Sequence, residues 1–188
     1  MGAAFLITQY FQIALGDSPL QTGLRLLPWT ATLFVVAPLS GALINRLGER
    51  MLIGVGLGLQ AAAFAWISVI ASPDLPYGKL VLPLILAGSG VSMAMPAAQN
   101  AILSSVAKPE IGKASGIYNM IRFLGGVCGI AIAGAVFVGH GSLASPQAFA
   151  AGFVAAMQVA AGLSLLGAIA GVCVSRLGVS APAPTRTA

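Results

Sequence analysis

Long apolar runs with charges only at their ends constrain this chain more than any other feature. Residues 24–44, 51–71, 80–106, 115–138 and 149–174 are each a predominantly apolar stretch, of about the 20 residues an α-helix needs to cross a hydrocarbon core. Arg25 sits at the edge of the first run, and only Arg122 interrupts a run from within. Hydrophobic residues make up 58% of the chain and charged residues 7%, against about 25% charged in a soluble domain. The surface of such a chain has to face lipid. Continuous runs exclude a membrane β-barrel, which shows alternating segments of about ten residues. Residues 1–15 are apolar too, carry Gln9 and Gln12, and would span only about 22 Å as a helix. They lack the basic start of a signal peptide. The expectation is an all-α integral membrane fold of six transmembrane helices over residues 1–175, the first one truncated, with residues 176–188 as a disordered cytoplasmic tail.

The polar residues set topology and exclude several chemistries. Net charge is +5, but the nine Lys and Arg are dispersed, most of them at the ends of the runs, so no stripe for nucleic acid forms. With the second inter-helix loop inside, Arg46, Arg50, Lys108, Lys113, Arg176 and Arg186 are cytoplasmic, and only Arg25 and Lys79 lie outside. Six against two follows the positive-inside rule and puts both termini in the cytoplasm. Cys128 and Cys173 read as small apolar fillers, and His140 as a loop residue in a Gly/Ser segment. Asp17, Glu49, Asp74 and Glu110 all fall between runs. The pattern therefore offers no metal site, no cofactor, no enzyme chemistry and no obvious proton carrier.

Within the runs, Pro28, Pro38, Pro83 and Pro96 are tolerable where neighbouring helices satisfy the freed carbonyls. Gly54/Gly58, Gly112/Gly116 and Gly125/Gly129 have the spacing that lets helix backbones approach, a spacing that chance also produces among 24 glycines. In Gly41-Ala42-Leu43-Ile44-Asn45-Arg46-Leu47-Gly48-Glu49-Arg50, a helix reaches the inner surface and turns on Gly48, with two Arg in the headgroup layer. This segment resembles the signature loop of the major facilitator superfamily, with Asn45 where the family has an acid. The resemblance marks Gly41, Asn45, Arg46, Gly48 and Arg50 as a cytoplasmic gating loop, its conformational lock weakened by Asn45. Gln9-Tyr10-Phe11-Gln12, Leu15-Gly16-Asp17-Ser18-Pro19-Leu20-Gln21-Thr22-Gly23-Leu24-Arg25-Leu26-Leu27-Pro28 and Gly112-Lys113-Ala114-Ser115-Gly116-Ile117-Tyr118-Asn119-Met120-Ile121-Arg122 are similar to the C-terminal half of the fourteen-helix drug–proton antiporters.

Arg122 is the most costly residue, about 15 Å into its helix, where a cation costs about 2.5–3.5 kcal/mol. Ser115, Asn119, Arg122, Gly126 and Ala133 share its face, and Gly88, Ser92, Met95 and Gln99 form a small, polar stripe on the preceding helix. Two readings stand: these stripes line a central aqueous cavity, or Arg122 snorkels to the inner interface. The cavity reading makes Gln9, Gln12, Gln99, Asn119 and Arg122 the candidate substrate residues.

The resemblance implies one facilitator half made of two inverted three-helix units, in the cell (inner or plasma) membrane. It implies proton-coupled export of small drug-like molecules as part of a longer transporter. The partners it implies are a small-molecule substrate, the lipid bilayer, and a missing N-terminal half or a second copy. A membrane scaffold or inert remnant that transports nothing is the alternative.

Overall fold

The computed structural model describes residues 2–174, and every regular element in that range is helical. The expected tail, with Arg176 and Arg186, lies outside the described residues. Helix α1 (Gly2–Gln9) runs into a wider π turn (Tyr10–Ala14), and Gly16 then turns the chain with φ 69°. Helices α2 (Pro19–Arg25) and α3 (Leu27–Leu47) follow, then α4 (Glu49–Ile70), α5 (Gly78–Ser104), α6 (Ile111–His140) and α7 (Pro146–Val174). Among the described residues, five segments are long and apolar enough to cross a membrane. Helix α1 with its π turn is a sixth apolar element, too short to do so.

The first long span starts at Pro19 rather than residue 24. Ser18 and Gln21 form a reciprocal capping box, and Pro19 occupies the first turn, so a helix is nucleated where sequence periodicity alone shows none. The chain bends at Leu26 and continues as α3. At the other end of α3 a single residue, Gly48 at φ 79°, connects to α4. That left-handed conformation favours glycine, as the reading of the turn requires. His140 is the last residue of α6 rather than a loop residue, its Nδ1 3.0 Å from the Val136 carbonyl.

Helix α4 packs most extensively on α5 and α7; α3 lies against α5, and α6 against α7. Helix α1 leans on α6, and the π turn on α7. Of the three glycine pairs with four-residue spacing, only Gly129 meets another helix backbone, with a Cβ on Gly2 of α1 lying 3.0 Å from its carbonyl oxygen. A Cβ on Gly112, Gly116, Gly125 or Gly129 itself would face open space, as would one on Gly58, and only one on Gly54 would meet a neighbour, the side chain of Val172. A tight crossing forms at Gly56 of α4 against Gly90 of α5, where a Cβ on Gly56 would lie 2.6 Å from the Gly90 carbonyl oxygen.

The buried core gathers at the end holding Gly78 and Gly141. Tyr10, Phe11, Phe64, Ile67, Leu84, Phe149, Phe153 and Met157 are buried there, and the Tyr10 and Phe153 rings stack at 4.4 Å. Polar ties pin the same end. The Tyr10 hydroxyl donates to the Ser72 carbonyl at 2.6 Å. Arg25 pairs with Asp17 at 2.6 Å and lies 5.2 Å from the centre of the Tyr77 ring. Burial pushes the Tyr77 phenol up, with the Arg25 charge opposing. Asp17 is in a loop, as expected, yet its side chain is only 6% exposed.

Candidate functional site: a mid-depth crevice

Two adjoining cavities occupy the middle of the bundle. The larger, of about 460 Å³, lies between α1, α3, α4, α5, α6 and α7, with Trp29 and Phe64 at one end. The smaller, of about 360 Å³, lies between α4, α5 and α6. Leu57, Gln60, Val91, Met95 and Gly125 line both, so together they form one crevice.

The polar groups converge where the two cavities meet. Gln60 and Arg122 are each eleven positions into their helices, counted from Glu49 and from Ile111. At 1.5 Å per residue both lie about 16 Å deep, near the middle of a ~30 Å core. Helices α4 and α6 start at the same end of the bundle, so the two residues meet at one depth. Tyr118, one turn before Arg122, lines the smaller cavity with it and lies 3.4 Å from the Met95 carbonyl through its hydroxyl. The Arg122 guanidinium carbon is 5.0 Å from the Phe123 ring centre, and its Nε is buried with no hydrogen-bond partner. The remaining lining is apolar or small. Gly125 and Gly129 leave open volume, since a Cβ at either would meet nothing within 4 Å.

The structure gathers only part of the expected set. Arg122 lines the crevice. Asn119 and Ser115 are half-buried on the same helix, with Asn119 Nδ2 donating to the Ser115 carbonyl at 3.0 Å. Gln9 lines a separate cavity of about 570 Å³ between α1, α6 and the start of α7. Gln12 is half-buried and Gln99 is exposed, and neither lines the crevice. The stripe expected on α5 divides: Met95 faces the crevice, but Gly88 and Ser92 are buried against neighbours. A Cβ on Gly88 would lie 2.5 Å from the Trp29 carbonyl oxygen of α3, and the Ser92 hydroxyl donates back to the Gly88 carbonyl at 2.7 Å. Gly88 thus serves the α3–α5 contact. Gln60, Trp29 and Phe64 belong to the crevice and were not singled out from the sequence. Gln60 alone carried a signal, as an isolated polar side chain in the middle of the run 51–71.

At the α3–α4 turn, Gly41, Arg46, Gly48 and Arg50 are exposed, and Asn45 lies in the last turns of α3. Glu49 supplies the contact that sequence reasoning did not assign. Its carboxylate accepts from Asn100 Nδ2 at 2.6 Å, joining the turn to the far end of α5. It also sits at the N-terminus of α4, where the helix dipole favours an acid. Among the described residues, no group of three or more His, Cys, Asp or Glu is placed to hold a metal ion.

Comparison with known proteins places this arrangement in a context. The profile of the Major Facilitator Superfamily matches residues 1–187. The chain is 36% identical over 125 residues to the "Uncharacterized transporter YebQ" of Escherichia coli (strain K12), covering 65% of this chain and 27% of that protein. It is 33% identical over 135 residues to the "Multidrug resistance protein Stp" of Mycobacterium tuberculosis, covering 72% of this chain and 25% of that protein. It is also 33% identical over 134 residues to the "Tetracenomycin C resistance and export protein" of Streptomyces glaucescens, covering 71% and 25%. The aligned stretch is thus about a quarter of the length of these curated relatives.

Proposed function

The chain belongs to the major facilitator superfamily, and on that premise we propose that it is one moving body of a drug exporter, with its substrate held in the crevice flanked by Gln60 and Arg122. The observation that carries this reading is the depth of the crevice: its polar groups sit near the middle of the membrane, where an alternating-access site has to be reached from either side. The export relatives, named for multidrug resistance and for tetracenomycin C, support a cargo of small, largely apolar molecules. In this reading the chain rocks against a second body, either the N-terminal half of a longer transporter or a second copy. Helices α3 and α6 bury the smallest share of their residues within this chain, which makes them the faces along which that body moves.

Proton coupling belongs to the same proposal. Among the described residues no Asp or Glu lines the crevice, so the proton-carrying acid is supplied by the second body. The Gly48 turn, with Arg46 and Arg50 beside it, acts as the cytoplasmic gate, and Glu49 ties it to α5. Both termini are cytoplasmic, and the protein resides in the cell membrane.

The test is efflux of a panel of fluorescent amphipathic compounds from cells expressing the transporter that contains this half. Gln60→Ala, Arg122→Ala and the space-filling Gly125→Phe should each lower efflux about tenfold or more while membrane abundance holds. Loss of efflux only in proportion to abundance would make these residues structural and overturn the reading.

A further inference from the structure

The crevice has a sign as well as a shape. Among the described residues, Arg122 is its one basic group, and no carboxylate lines either cavity. Among the described residues the one salt bridge is Arg25–Asp17, far from Arg122 at the packed end of the bundle. Glu49 and Glu110 lie at the cytoplasmic-side starts of α4 and α6, about 16–18 Å along the helix from the level of Arg122. Arg122 therefore stands in apolar surroundings without a counter-charge, with its Nε buried and unbonded. The donors of Gln60 and Tyr118 border the same small cavity, and Trp29 and Phe64, their rings stacked at 6.1 Å, close the far end of the large one.

We propose that this half selects flat, apolar molecules carrying an anionic or strongly accepting oxygen, seated on Arg122 with the ring system extending toward Trp29 and Phe64, and that it disfavours cations. This rests on the reading of the crevice as the substrate site and adds to it the class of substrate. A planar guanidinium binds carboxylate, sulfonate or phenolate oxygens through paired, charge-assisted hydrogen bonds. A cationic head placed in the same crevice meets a like charge at low dielectric, and among the described residues of this half no acid lines it to pair with. The aromatic pair and Met95 supply an adaptable apolar surface that holds rings without reading their substituents.

The experiment uses the 188-residue chain in phosphatidylcholine nanodiscs. It has two tryptophans, and Trp66→Phe leaves Trp29, on the crevice wall, as the sole reporter. The probes are three matched anthraquinones substituted at the same carbon with sulfonate, hydroxymethyl or trimethylammonium, with partitioning into empty nanodiscs subtracted. The sulfonate should quench Trp29 at least about tenfold more tightly than the ammonium, with the neutral probe between them. Arg122→Gln should collapse that order and Arg122→Lys should keep it in weakened form. Gly125→Phe should weaken all three probes. Gln60→Leu, which leaves the charge in place, keeps the order testable if the arginine variants do not fold. Equal binding of the three probes, or tighter binding of the ammonium, with Gly125→Phe still inhibitory, overturns the charge selection and leaves the substrate crevice standing. Saturable quenching by none of them, or quenching untouched by Gly125→Phe, overturns both.

Discussion

The crossing of α4 and α5 at Gly56 and Gly90 makes a prediction whose size can be worked from the structure. A Cβ built on Gly56 lies 2.6 Å from the Gly90 carbonyl oxygen, 3.0 Å from the Ala94 nitrogen and 3.2 Å from the Ala94 Cβ. Two of these three atoms are backbone and cannot rotate away. Restoring an ordinary contact of 3.4 Å requires the helices to separate by about 0.8 Å along their most extensive contact. Overpacking of this kind costs about 1–3 kcal/mol, which for a chain of this size corresponds to a fall in Tm of about 2–12 °C. The assay is thermal unfolding of the purified protein in detergent, followed by the loss of its monodisperse gel-filtration peak. Gly58→Ala is the matched control, two residues along the same helix, where an added Cβ meets nothing within 4 Å. It should melt at or slightly above the parent, because alanine favours the helix by about 0.5–1 kcal/mol over glycine. Equal melting temperatures for Gly56→Ala and Gly58→Ala would refute the crossing.

Ser18→Ala removes the acceptor for the Gln21 amide and opens the capping box at the start of α2; it should cost about 0.5–2 kcal/mol, read as a lower Tm in the same assay. Gly48→Val puts a branched side chain at φ 79° and should reduce folded yield and lower Tm more than the exposed Gly41→Val does, as quantified by gel filtration. Single cysteines at Lys113 and Gly141, introduced with Cys128 and Cys173 replaced, should be labelled by an impermeant maleimide from opposite sides, Lys113 from the cytoplasm; labelling of both from one side would refute the topology. In liposomes with an imposed pH gradient, the chain alone should not drive gradient-dependent dye movement, since among the described residues no carboxylate lines its crevice.

The two kinds of information in this chain differ in how far they can be read along one strand of sequence. Helix number and ends follow from local demands, because each run has to cover the hydrocarbon core by itself. The Gly48 turn follows from a local demand too, for a residue that tolerates positive φ. Which face of a helix meets which neighbour is instead decided where two helices cross. Gly88 and Ser92 carry the composition of a cavity stripe, yet both are buried, and α3 covers Gly88 because that glycine permits the Trp29 backbone to approach. Gln99 is one turn beyond Met95 on that stripe and ends exposed for want of a covering helix. The burial of Asp17 depends on Arg25, eight residues on, and on Tyr77, which docks against Arg25 through its hydroxyl from another loop. Position along the helix axis needs no such knowledge. Counting residues from the shared end of two parallel helices places Gln60 and Arg122 at one level, whichever way their faces turn. A lone glutamine in an apolar run is costly for the same reason as the arginine, if less so. Polar residues at equal depth on different helices therefore relieve one another best by sharing a cavity. By that argument depth singles out the pair that helical-face periodicity divides, and the crevice between α4, α5 and α6 is where the two meet.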